Sequence, residues 1–211
     1  SVDLLEGLGA TSSFFAAGSA SMRFMHLRLG RTVKRARLPE TAFGLSRAAL
    51  DQVLLQRVLD LGGKLVSEKA GPVQTGKYVW AAGRRAVASR GRRLFGFKAH
   101  FSGPVQDSVE LYVLPEGAYV GVSPVENGIT NVCGLAREDD LLKAGFQIDE
   151  FVYRFEVLRE RTKPLRRCWD WLVVGPLVFQ RNWNISEVAG YPAGDALSFV
   201  DPFTGSGIVS A

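Results

Sequence analysis

The sequence predicts an α/β (α+β) fold, in which an antiparallel sheet is set into an α/β frame. Three observations predict it. A strongly periodic helix lies between residues 46 and 61. Four strand-like segments, separated by glycine and proline turns, follow between 94 and 135. At 194–208 the chain returns to a strand–turn–helix pattern. Helical period, then strand period, then a return to the first pattern is how an inserted sheet reads in sequence. Such an arrangement implies two lobes with a ligand between them.

The totals agree with a globular chain. Its 211 residues are enough for one large or two small domains with a real core. Hydrophobic residues make up 46% and charged residues 22%, so no disordered or fibrous class applies. No stretch approaches the roughly 20 apolar residues a membrane span needs. No basic-then-apolar leader opens the sequence, which starts at Ser1 without Met, so the true N-terminus is expected to lie outside it. Two cysteines, Cys133 and Cys168, and two histidines, His26 and His100, are too few for a disulfide scaffold or a His-rich metal site. Buried, reduced thiols in a cytoplasmic protein are the expectation. Net charge is +5, which fits a polyanionic partner, an acidic small ligand or simply a soluble surface.

Taken in order, residues 1–10 read as the end of a helix closed by Gly7 and Gly9. The small polar run 11–21 reads as a loop. From Met22 to Arg37, apolar Phe24, Met25, Leu27, Leu29 and Val33 mix with Arg23, Arg28, Arg31, Lys34, Arg35 and Arg37. That predicts one or two strands with a wet basic face. In the helix, Ser46 is the cap, and Leu50, Val53, Leu54, Val58 and Leu61 fall at helical spacing before Gly62-Gly63 stops it. Lys64-Leu65-Val66 is expected to open a strand. Tyr78 to Gly83 reads as a short buried strand ending in a turn.

Leu94–Phe101, Ser108–Leu114, Ala118–Val122 and Ile129–Leu135 then read as an antiparallel meander. Residues 137–161 read as amphipathic helix, with Leu141, Leu142, Phe146, Phe151, Phe155 and Leu158 among charged neighbours. Trp169 to Phe179 is an apolar run interrupted by Gly175-Pro176, and 187–200 leads into the closing turn.

That turn, Gly194-Asp195-Ala196 through Pro202-Phe203-Thr204-Gly205-Ser206-Gly207-Ile208, carries the most chemistry. A carboxylate there can hold a sugar-like hydroxyl. Glycines at a helix start expose backbone N–H groups that favour negative charge. An ordinary surface loop between strand and helix has the same composition.

Three stretches, in order, resemble the FAD-dependent oxidoreductases of the para-hydroxybenzoate hydroxylase-like superfamily, in its geranylgeranyl reductase, flavin-dependent halogenase and monooxygenase branch. Gly44-Leu45-Ser46-Arg47 with the following helix to Gly62-Gly63 resembles the family's arginine helix, which implies that Arg47 lies near FAD. Val79-Trp80-Ala81-Ala82-Gly83-Arg84-Arg85 resembles the strand end beside the adenosine, although Ala82 stands where an acidic or small residue is common. The closing turn resembles the second FAD motif, G-D-A-x-x-x-x-x-P-x-x-G-x-G-I.

By that resemblance Asp195 accepts hydrogen bonds from the ribityl chain and Gly194 leaves room for it. Pro202, Gly205 and Gly207 shape the turn against the flavin ring. The N–H groups of Gly207 and Ile208 face the edge where charge gathers on reduction. The implied fold is a Rossmann-like FAD-binding lobe, incomplete here, with an inserted antiparallel substrate sheet. Residues 1–93 and 181–211 belong to the first lobe and 94–180 to the second. The superfamily's first FAD motif, G-x-G-x-x-G, does not occur ahead of the arginine helix, so this sequence is expected to be a piece of a longer protein. Tyr119 and Gly121 replace the tryptophan pair that halogenases carry before the proline at Pro124, which argues against halogenation.

The implied function is an FAD-dependent monooxygenase or double-bond reductase, reduced by NAD(P)H or a partner and acting on an apolar or aromatic small molecule. No catalytic acid or base is evident. His100, Tyr112 and Tyr119 are candidates to face a substrate, although a packed or solvent-facing strand position is favoured for each, and Phe95, Phe97, Phe101 and Phe179 are candidates to line an apolar pocket, although core packing is favoured for any one of them. A second class is a polyanion- or membrane-surface-binding module using the basic clusters at 31–37, 84–93 and 161–167. A third is a cofactor-free fold remnant. No nucleic-acid motif accompanies the charge.

Overall fold

A computed structural model describes residues 2–68, 78–83, 93–177, 191–199 and 203. By contacts the chain divides into two units. One holds 1–11, 55–89 and 178–211, and the other 12–54 and 90–177. The boundary within the long helix falls between Leu54 and Leu55.

Two short helices open the chain, α1 (Val2–Gly7) and α2 (Thr11–Ala16). The second replaces the expected loop. Its Thr-Ser-Ser start is as good a helix opening as a loop, and tertiary packing decides the matter. Phe14 is buried, with its ring edge-on to those of Phe15 and Phe43. A long hairpin follows, β1 (Ala20–Leu29) and β2 (Thr32–Gly44). As expected, its basic side chains are largely exposed: Arg31, Lys34, Arg35 and Arg37 all face water.

Helix α3 (Arg47–Asp60) forms where the periodicity predicts it. The Ser46 hydroxyl accepts from the Ala49 N–H at 3.2 Å. At the other end, the N–H groups of Gly62 and Gly63 donate back to Leu59 and Val58. Leu65 and Val66 are exposed and belong to no strand. Among the described residues no strand pairs with them.

The main sheet contains β4 (Leu94–Ser102), β5 (Ser108–Val113), β6 (Tyr119–Val125) and β7 (Ile129–Arg137), with β8 (Arg166–Arg167) and β9 (Leu172–Leu177) at one side. The strand order is β2-β1-β5-β6-β7-β4-β8, with β9 also paired to β4. Only β5-β6-β7 is a meander. β4 lies beyond β7, and β1 pairs parallel to β5. The sheet therefore reaches back to residues 20–44, ahead of the 94–180 stretch assigned to it from sequence.

Gly44, where β2 ends, is required by close approach. A Cβ there would sit 2.1 Å from the Pro124 carbonyl oxygen of β6.

As expected, the stretch 137–161 is helical, and it gives three helices: α4 (Glu138–Leu142), α5 (Ile148–Tyr153) and α6 (Glu156–Thr162). Gly145 and Phe146 break the run with φ of 58° each. These helices cover one face of the sheet. Leu141, Ile148, Phe151, Val152 and Leu158 pack on Phe97, Ala99, Phe101, Val120, Val122 and Val132. The Phe97 and Phe151 rings meet edge-on, 5.7 Å between centroids. Asp149 ties α5 to the last strands: it accepts from Trp171 Nε1 at 2.9 Å and pairs with Arg167.

One charged cluster is largely buried on this face. Glu110 accepts from Arg161 Nε at 2.8 Å and from the Tyr112 hydroxyl at 2.6 Å. Burial, then that hydrogen bond and the Glu110 charge, push the Tyr112 phenol up.

The smaller unit contains β3 (Val79–Trp80) and β10 (Tyr191–Pro192), paired parallel. Val79 is exposed rather than buried, because a two-residue strand has little sheet to bury it. In the same unit, Arg57 Nε of α3 donates to the Leu8 carbonyl at 2.8 Å.

Arg161→Leu leaves the buried Glu110 carboxylate uncompensated. It should lower the unfolding free energy by about 3–5 kcal/mol in urea titration. Phe151→Ala should cost a similar roughly 3–5 kcal/mol through the cavity it opens.

Candidate functional site

Two places carry chemistry, one in each unit. In the smaller unit, the second and third of the stretches noted in sequence come together. The Tyr191 N–H donates to the Tyr78 carbonyl and the Ala193 N–H to the Trp80 carbonyl, each at 2.9 Å. Parallel strands end at the same edge, so Ala81-Ala82-Gly83 and Gly194-Asp195-Ala196 leave side by side. Ligands of open α/β sheets bind at that carboxyl edge.

The chain turns there in one 3₁₀ turn, Gly194–Ala196, closed by the Leu197 and Ser198 N–H groups donating to the Gly194 carbonyl at 2.8 and 3.0 Å. Gly194 has φ of 59°, which a side chain would strain. Asp195 is half-buried. Among the described residues its carboxylate makes no hydrogen bond or ion pair. A half-buried carboxylate without a partner can accept hydroxyl hydrogen bonds from a bound molecule. Pro202, Gly205, Gly207 and Ile208 lie outside the described residues.

Arg47 lies in the larger unit. Exposed on the first turn of α3, it pairs with Asp51 at 2.6 Å, a contact of small energetic weight. The start of its helix is anchored by the Ser46 N–H, which donates to Glu126 Oε2 at 2.7 Å. Glu126 follows β6, and its charge reaches His100.

The second place is the sheet face turned away from the helices. Lys98 and His100 alternate on β4 with the buried Phe97, Ala99 and Phe101. Across the ladder, Lys98 faces Cys133 and His100 faces Asn131, and on the next strand Gly121 and Ser123 face Cys133 and Asn131. This row of polar groups was not singled out as a unit in the sequence. The alternation of Lys98 and His100 with phenylalanines is the signal that reveals it.

His100 is 8% exposed, with its ring 4.8 Å from that of Trp169. Burial pulls its pKa below the ordinary 6.5 and Lys98 adds to that, while Glu126 and an Asn131 hydrogen bond act against it. Burial pushes the Glu126 carboxyl up, but the hydrogen bonds from Ser46 prevail and hold it low. Burial raises the Cys133 thiol, opposed by Asn131 and Lys98.

The positions of the remaining candidates decide between their readings. Tyr112 lies on the helix-covered face, hydrogen-bonded to Glu110, so it does not face a ligand on the opposite side. Phe97 and Phe101 are core residues, and Phe95 packs at the margin of that core. Cys168 is exposed rather than buried, beyond the end of β8. Phe179 lies outside the described residues. A cleft of about 510 Å³ on the helix side is lined by Arg28, Arg35, Tyr112 and Arg161 among others. Among the described residues, no group of three or more His, Cys, Asp or Glu is placed to hold a metal, and no helix is long and apolar enough to cross a membrane.

No protein-family model and no curated protein matches the sequence. Solved structures do match. The flavin-dependent brominase Bmp2 superposes with a TM-score of 0.73 at 15% identity, covering 99% of this chain and 63% of its own. The chondrochloren halogenase CndH, a myxobacterial FAD-dependent halogenase, gives 0.71 at 18%, covering 97% and 59%. PqsL of Pseudomonas aeruginosa, a probable FAD-dependent monooxygenase, gives 0.72 at 14%, covering 99% and 70%. The shared property is the fold. It is the mixed α/β fold predicted from sequence, and the chain spans less than two thirds of the brominase and the halogenase.

Two measurements check this geometry. Iodoacetamide should modify Cys168 first, with Cys133 reacting only slowly, as read by peptide mass mapping. Acid should destabilise the protein in two steps of the same sign. His100 has a folded pKa below 6.5, so its contribution is complete above that value and is lost as pH falls below it. Glu126 has a folded pKa below 4.5, so its contribution is lost only as pH falls below that. Urea midpoints should fall from pH 7 to 5, and His100→Asn should flatten that part of the profile alone.

Proposed function

We propose that the protein is an FAD-dependent oxidoreductase, a monooxygenase or double-bond reductase acting on an apolar or aromatic small molecule. The observation that carries this reading is the paired end of β3 and β10. It sets a glycine of positive φ, and a carboxylate with no partner among the described residues, at one carboxyl edge. That edge fits the middle of a dinucleotide: Asp195 would accept hydroxyl hydrogen bonds, and the bare Gly194 would allow close approach. Pro202, Gly205, Gly207, Ile208 and Arg47 are assigned to the same cofactor by resemblance. NAD(P)H or a reduced partner is the proposed electron source.

FAD, when bound, supplies the redox chemistry, and the protein's task is to orient it, tune its charge and exclude competing reactions. The structural neighbours named for flavin-dependent halogenation or monooxygenation support this class. Within it, Tyr119 and Gly121 at the positions of the halogenases' tryptophan pair favour oxygenation or reduction over halogenation. The exposed basic hairpin β1–β2 supports the polyanion-binding alternative, whose mark is binding that weakens steeply with salt.

The test is the visible spectrum of the purified protein before and after incubation with FAD. Bound flavin gives a yellow protein, and Asp195→Ala should lower its occupancy about tenfold at subsaturating FAD, as expected for loss of a charged hydrogen-bond acceptor. A protein that remains colourless with added FAD overturns the reading.

A further inference from the structure

The cleft of about 510 Å³ on the helix side of the larger unit has two walls of opposite charge. The hairpin forms one of them. His26 and Arg28 lie two apart on β1, and Arg35 of β2 is directly across from His26, so Arg28 and Arg35 are diagonal neighbours on one face. Diagonal positions across an antiparallel pair are roughly 7–8 Å apart, close enough for two long side chains to meet on one ligand. Among the described residues neither Arg28 nor Arg35 has a carboxylate partner. Other arginines of the neighbourhood are paired, Arg23 with Asp107 and Arg161 with Glu110. Two guanidinium groups on one face repel each other unless an anion joins them.

The floor of the cleft holds this wall in place. The Arg28 guanidinium lies 6.0 Å from the centroid of the Tyr112 ring, whose hydroxyl is fixed on Glu110. Glu110 already has Arg161 as its counter-charge. The opposite wall is α6, which brings Glu156 and Glu160. Glu160 is shared by Arg159 and Lys163, whereas Glu156 has no cationic partner among the described residues. Arginines and a carboxylate that line one cleft without pairing leave both kinds of group to a bound molecule. A phosphate dianion is what paired arginines grip best. A free carboxylate accepts hydrogen bonds from hydroxyls. The same acidic wall repels an extended polyanion such as a nucleic-acid strand.

We propose that this cleft binds the phosphate monoester of a small polyhydroxylated molecule, a sugar phosphate. Arg28 and Arg35 hold the phosphate beside His26, and Glu156 accepts from the hydroxyls. The site is built from the larger unit alone, and its occupancy does not depend on the flavin reading.

The experiment is a calorimetric titration of the purified protein in phosphate-free buffer. The probes are glucose 6-phosphate and ribose 5-phosphate, with inorganic phosphate, glucose and vesicles containing phosphatidylinositol 4-phosphate as comparisons. The expected result is saturable binding of at least one sugar phosphate, about tenfold tighter than inorganic phosphate, with no binding of glucose. Arg28→Gln and Arg35→Gln should each weaken it about tenfold or more. Arg31→Gln, which removes the same charge at the exposed hairpin turn, should leave it unchanged. Glu156→Ala should narrow the margin over inorganic phosphate. Four results overturn the proposal: neither sugar phosphate binds, inorganic phosphate binds as tightly (an adventitious ion only), Arg31→Gln costs as much as Arg35→Gln, or binding is confined to the vesicles. If Arg28→Gln melts early, the exposed Arg35 and Arg31 positions decide by themselves.

Discussion

The period-two alternation of the main sheet is the constraint on which the larger unit depends. On β4, β6 and β7 most of the alternate residues are apolar and point into one layer of helices, where Phe151 and Leu158 are wholly buried, whereas β5 gives that layer Ser108 and the paired Glu110 beside Tyr112. That layer takes up the hydrophobic driving force of the unit. The residues between are freed from packing, so the opposite face can hold Lys98, His100, Asn131 and Cys133 at fixed spacing. A one-residue slip in register would exchange the two sets and bury the ammonium. The Glu110–Arg161–Tyr112 cluster and the Asp149 contacts to Trp171 and Arg167 act against such a slip. Each joins a helix to the sheet or its flanking strands by polar bonds that only one register satisfies.

The smaller unit relies on a different device. Its two described strands are only two residues long, too short to hold a sheet by themselves. Their value is positional. A parallel pair brings two turns that are more than a hundred residues apart in sequence to one edge. Gly194 can adopt the left-handed conformation that edge requires, and Asp195 is left with lone pairs unsatisfied within the described residues.

How far the sequence revealed this varied with the range of the forces involved. Helix α3 was legible from Ser46 to Gly63 because capping and period are local. The β5-β6-β7 meander was legible because turn residues punctuate it. The place of β4 beyond β7 and the parallel pairing of β1 to β5 were not, since neither leaves a local trace. Residues 11–16 were misread because Phe14 finds its partner, Phe43, far along the chain. The helical character of 137–161 was legible, but not its breaks at Gly145 and Phe146, where apolar spacing continues through a change of direction. In the site, the glycine–aspartate turn was visible as a motif. The polar row on β4 and β7 emerges only from cross-strand register.

We propose above that the two strand ends of the smaller unit form one flavin cradle. Hydrogen–deuterium exchange with and without FAD tests it most directly. Slower exchange on adding FAD is expected at the amides of 81–83 and of 194–198 together. Protection at neither stretch, or only at residues remote from both, would contradict it.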